Sequence, residues 1–146
     1  MRSGHIISQV SRIREKANRF IESELRARNM SGIVPAHGAV LGFLLRQPGP
    51  VALKLVVEHT RRAKSTITVM VNNLVKHGYI ERTPCPDDAR YSLISVTPKA
   101  RALSSDFEEI TQKMLHWVFG EMPLSDREQL MTLLEQLERN MDSHKM

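Results

Sequence analysis

The chain has 146 residues, the size of one ordinary domain, and 41% hydrophobic content supports a sizeable core. A single cysteine excludes an internal disulfide, and no apolar run approaches the roughly 20 residues of a membrane span. The opening residues interleave apolar with charged side chains instead of building a signal-peptide core, so a cytoplasmic protein is expected.

Charge is unevenly spread. Residues 1–103 hold 17 Lys and Arg against 7 Asp and Glu, and residues 104–146 hold 4 against 9. A basic body favours a polyanionic partner, nucleic acid ahead of a membrane, because no strongly basic amphipathic helix with an aromatic apolar face is present. Charge alone fits a merely solvated basic surface equally well.

Apolar residues Ile6, Val10, Ile13, Ala17, Phe20, Ile21 and Leu25 recur at three- and four-residue steps, which predicts an amphipathic first helix. Ser31-Gly32 breaks it, Pro35 suits the first turn of a second helix to about Arg46, and Gln47-Pro48-Gly49-Pro50 stops that one. A short third helix is expected over residues 51–59, then the polar turn Thr60-Arg61-Arg62. A fourth helix runs from about Lys64 to His77, with Ile67, Met70, Val71 and Leu74 on one face and Gly78 at its C-terminal stop.

Residues 79–83 and 90–96 are β-prone runs joined by a turn rich in proline and aspartate, which predicts a hairpin. Thr97-Pro98 then offers an N-cap and a proline at the first helical position, opening a long helix to about Gly120. Ser125-Asp126-Arg127-Glu128 has the form of a capping box for a last helix to about Met141. The expected class is mainly α with a small β-hairpin wing.

Two short helices joined by a tight polar turn and followed by a hairpin have the order of a winged helix-turn-helix, whose second helix enters the DNA major groove. At about 100° per residue, Ser65, Thr68, Val69, Asn72 and Lys76 fall opposite the apolar stripe of the fourth helix, with Thr66 and Asn73 flanking them. Hydroxyls and an amide can reach base edges and phosphates. Arg61, Arg62 and Lys64 stand at the entrance of that helix, where its dipole also attracts phosphate. The bland reading of these side chains is an ordinary solvated face. Arg90, just past the turn of the hairpin, is placed to project into a minor groove.

These residues together resemble the DNA-binding core of MarR-type transcriptional regulators. The resemblance rests on Lys64-Ser65-Thr66-Ile67-Thr68, on Leu74 through Gly78 to Arg82, on Asp88-Ala89-Arg90, and on Val96-Thr97. It implies a homodimer on a pseudo-palindromic double-stranded operator, most simply a repressor released by a small aromatic or phenolic effector. Residues 35–97 would form the winged helix-turn-helix, with 1–28 and 98–143 as N- and C-terminal dimerisation helices. Ser65, Thr66, Thr68 and Asn72 would touch the major groove and Arg90 the minor groove, while Asp88 would hold Arg90 or the wing in place. An effector would meet His37, Leu41 and Phe107. Ala63 departs from the family pattern, standing where a polar N-cap is usual, as does Arg62 in the turn.

Other chemistry finds little support. Cys85 has Pro84, Pro86, Asp87 and Asp88 as neighbours, which oppose a thiolate. The six histidines are scattered without ligand spacing, so no metal or other cofactor is expected. Neither a phosphate loop nor a nucleophile elbow is present, so the chain is not read as an enzyme. The competing reading is a winged-helix module that binds protein without DNA, for which the fourth helix would show an apolar patch.

Overall fold

The computed structural model describes residues 3–88 and 90–143, so Ala89, the middle of the Asp-x-Arg motif, lies outside the described residues. The elements in order are α1 (Ile6–Ala27), α2 (Gly38–Leu45), β1 (Val51–Ala52), α3 (Leu53–Thr60), α4 (Lys64–Lys76), β2 (Ile80–Pro84), β3 (Ser92–Val96), α5 (Pro98–Ala102), α6 (Ser104–Phe119) and α7 (Leu124–Asp142). A 3₁₀ turn, Ser3–His5, precedes α1, and another, Pro35–His37, opens α2. The chain divides after Thr111 into two compact units. None of the described helices is long and apolar enough to cross a membrane.

Two helices end in the same way. After α1, Asn29 takes a left-handed conformation (φ 57°), Asn29 N–H donates to Arg26 O, and Met30 N–H reaches back to Leu25 O at 3.0 Å. After α4, Gly78 (φ 81°) and Tyr79 repeat the pattern onto Val75 O and Leu74 O. This bonding satisfies carbonyls that a helix end would otherwise leave orphaned. At α4 the turn delivers Tyr79 directly into the core, where its hydroxyl donates to Ser31 O at 2.8 Å and its ring lies 4.3 Å beneath Lys99 Nζ.

The core sits in the first unit, where Leu41 and Leu44 of α2, Val56 of α3 and Ile67, Val71 and Leu74 of α4 are closed to solvent. The predicted apolar stripe of α4 is thus its buried side, with Met70 partly covered. Fully burying such side chains contributes about 1.5–3 kcal/mol each.

Three local expectations are corrected. Val51 and Ala52 are not helical; they form β1, pairing antiparallel with Ile94 and Leu93, so the hairpin is part of a three-stranded sheet ordered β1-β3-β2. The helix opened by Thr97 is interrupted at Leu103, where Leu103 N–H bonds Ala100 O in a tightened turn before α6 begins. Ser125 does not cap the last helix. Pro123, in extended backbone, is the N-cap of α7 and accepts from the N–H groups of Asp126 and Arg127. The Arg127 guanidinium braces the preceding loop by donating to Met122 O at 2.8 Å and Gly120 O at 3.3 Å.

Thr97 does cap α5: its hydroxyl accepts from Ala100 N–H at 3.2 Å and donates to Gly78 O at 2.6 Å, joining the start of α5 to the end of α4. Arg28 closes the other end of the unit, bonding Glu24 on α1 and reaching Asp106 at 3.3 Å and Glu109 at 3.1 Å on α6. Glu24 and Glu109 both serve this arginine.

Candidate nucleic-acid interface

The turn between α3 and α4 is shaped by Arg61, whose left-handed backbone (φ 57°) ends α3. Thr60 stays within α3, its hydroxyl donating to Val56 O at 2.8 Å. Ala63 occupies the N-cap of α4 in extended backbone with no side-chain cap. The first N–H groups of α4 therefore receive no side-chain oxygen from the cap position, and an anion is the natural complement to such an end. Arg61, Arg62, Lys64, Ser65 and Thr66 are all exposed around it.

Along α4, Thr68 is half-buried and donates its hydroxyl to Lys64 O at 2.8 Å. With its proton committed, Thr68 can only accept a further hydrogen bond. Val69 is 59% exposed, an apolar contact among polar ones. Asn72 and Lys76 are exposed farther along; Lys76 closes the helix about 18 Å from Lys64.

The wing begins at β2 and β3, registered with Ile80 opposite Val96 and Arg82 opposite Ile94. Ile80, Ile94 and Val96 are buried, so alternation sets Arg82 on the same side of the sheet as the core. Its position near the open end of the strand leaves it exposed. There it donates to Asn72 Oδ1, joining the wing to α4. In the sequence Arg82 stands out only as a motif position. The i, i+2 relation to Ile80 was the signal that could have placed it against α4.

At the wing's tip, Cys85 N–H donates to Tyr91 O at 2.9 Å and Tyr91 N–H to Asp88 O at 3.1 Å. Cys85 itself is half-buried and Tyr91 exposed. Asp88 Oδ1 accepts from Arg90 N–H at 3.0 Å and from Nε at 3.1 Å, and Oδ2 accepts from Nη2 at 2.8 Å. These bonds hold the Asp88 carboxyl below its ordinary pKa and raise that of Arg90. Arg82, Arg90 and Tyr91 line one open hollow of the wing.

The structure therefore gathers Arg61, Arg62, Lys64, Ser65, Thr66, Thr68 and Asn72 on the turn and outward side of α4, and Asp88 and Arg90 on the wing. His37 and Leu41 lie apart in the core, 4% and 1% exposed, and Phe107 of α6 packs on that core from partial burial.

A helix-turn-helix followed by a wing of this build defines a winged helix-turn-helix protein. A model described as the MarR family matches residues 31–90. Among curated proteins, the HTH-type transcriptional regulator YwhA of Bacillus subtilis, itself uncharacterized, is 24% identical over 108 residues, covering 71% of this chain and 78% of YwhA. Among solved structures, the PcaV regulator of Streptomyces coelicolor, in complex with its natural ligand, superposes with a TM-score of 0.80 at 18% identity, over 92% of each chain. MepR of S. aureus, in complex with DNA, gives 0.78 at 18% identity, over 96% of this chain and 98% of MepR. Residues 31–90 thus resemble the MarR family, and the fold is one shared with PcaV and MepR.

Proposed function

We propose that the chain is a sequence-specific transcriptional regulator that binds double-stranded DNA as a homodimer on a pseudo-palindromic operator. The observation that carries this reading is the Arg82–Asn72 bond, which joins the hydroxyl- and amide-bearing side of α4 to the arginine-bearing wing. Support comes from MepR, whose fold this chain shares and which was solved on DNA.

In this reading residues 35–97 grip DNA, α4 in the major groove and Arg90 in the minor groove. Residues 1–28 and 98–143 pair two copies. Ile6, Ile7, Val10 and Ile13 of α1 are exposed, no side chain of α7 is buried, and Leu130, Met131, Leu133, Leu134 and Leu137 stand open on it. Burial against a second copy is the use such apolar helices have. A regulator of this kind works in the cytoplasm, with the DNA it controls.

The regulator acts as a repressor released by a small aromatic or phenolic effector, a reading supported by PcaV and its ligand. His37, Leu41 and Phe107 are its contacts. Because His37 and Leu41 are closed to solvent, a ligand that reaches them displaces packing, and that displacement is how differential binding to two conformations would arise.

Selection of bound sequences from a random DNA pool tests the core of the proposal. The expected result is a twofold-symmetric site with half-sites about one helical turn, roughly 10 base pairs, apart. A pool that shows no enrichment sinks it. Sedimentation velocity should show a dimer at micromolar concentration, and a monomer would remove the operator symmetry.

A further inference from the structure

Asn72 of α4 and Arg82 of β2 are both exposed, ten residues apart in the chain, and are joined through Asn72 Oδ1. A guanidinium carries donors and no acceptor, so its presence decides which end of the carboxamide faces the wing. The oxygen turns to Arg82 and the NH₂ group is directed away from it. Without that partner, an exposed asparagine presents either end outward at little cost, and reads donors and acceptors alike.

We infer that Arg82 is a positioning residue for base readout: by engaging Oδ1 it fixes Asn72 as a hydrogen-bond donor toward DNA and so sets the base preference at one position of each half-site. The inference rests on the DNA-binding reading above. The ligand class follows from groove chemistry. A fixed N–H donor is matched by N7 of a purine or O4 of thymine, whereas cytosine offers the major groove only its N4 amino donor, which opposes another donor. The site should therefore accept a purine or thymine at that position and reject cytosine. With the amide free to turn, its oxygen could accept from N4, and cytosine would become tolerable.

The test measures Kd by competition gel shift for an operator and for copies with each base at every half-site position, using wild type, Arg82→Met, Arg82→Lys and Asn72→Ala. Wild type should reject cytosine at one position, and Arg82→Met should lower that discrimination about tenfold while preferences elsewhere hold. Arg82→Lys, which keeps a donor, should recover part of it. Asn72→Ala should lose the preference at that same position, and adding Arg82→Met to it should change nothing there. A loss in Arg82→Met that is equal for all sequences overturns the inference, because that is the signature of a phosphate contact or of a damaged fold. If wild type selects a symmetric site and its cytosine discrimination survives in Arg82→Met, this inference falls and the DNA-binding reading stands. If wild type selects no sequence, both fall together.

Discussion

Asp88 holds Arg90 at three points, two on the guanidinium at 3.1 and 2.8 Å and one on its own backbone N–H at 3.0 Å. The carboxylate thus shapes the turn and aims the arginine with the same atoms. Arg90 is exposed and Asp88 only partly covered, so the pair adds little to folding, and its value lies in orientation.

Replacing Arg90 with alanine should therefore weaken operator binding roughly tenfold and leave the melting temperature unchanged. Asp88→Asn keeps an acceptor for the Arg90 N–H and loses the ion pair, so its binding loss should be smaller. Gel-shift titration beside thermal melting checks both; unchanged affinity in Arg90→Ala removes the wing from the interface.

Operator affinity should fall steeply as salt rises, because the cations at the entrance of α4 would displace counterions from phosphates. Arg62→Ala or Lys64→Ala should lower the slope of log K against log salt by about one each and weaken all sequences alike. A flat salt response in wild type would favour a protein partner over DNA.

Gly32 sits at φ 84°, and a Cβ there would lie 2.3 Å from Cγ of the His77 ring. Gly32→Ala should cost about 1–3 kcal/mol of stability by urea titration, from backbone strain and the clash together. His77→Ala in the same chain should recover the clash and leave the strain. If the double variant loses the full sum of the two single losses, the close approach is not what the glycine serves.

His37 accepts from Val34 N–H at 3.2 Å through Nδ1, so that nitrogen carries no proton in the fold. Burial, and then the charge of His77, hold its pKa below the ordinary imidazole value. The unfolded chain therefore takes up the proton first as pH falls, and stability present above about pH 6.5 declines below it. The urea midpoint should drop between pH 7 and pH 5, and His37→Asn, whose Oδ1 can replace the acceptor, should flatten that decline. Parallel curves for the two proteins would clear His37 of the effect.

How far the sequence could be read depended on how local the cause was. The stripe of Ile67, Val71 and Leu74, the stop at Gly78 and the cap at Thr97 were legible because periodicity and end chemistry act within a few residues. Val51 and Ala52 were not, since a two-residue strand exists only through Ile94 and Leu93, about forty positions away. The interruption at Leu103 carries no glycine or proline to announce it. In the site, the residue types along α4 and the Asp88–Arg90 pairing were expected, whereas Arg82 was missed because its partner is on another element. Ser125 misled for a different reason: Pro123 already has the backbone angles of an N-cap.

The short strand β1 has a mechanical consequence. It leads without a break into α3, while its partner β3 returns from the tip of the wing, so the sheet splices the reading helices and the wing into one stiff piece. The wing cannot bend aside while α4 stays seated. In the proposed regulator, a signal that loosens the grip on DNA would have to swing the whole piece, and the quantity it would adjust is the distance between the two pieces of a pair, not the form of either.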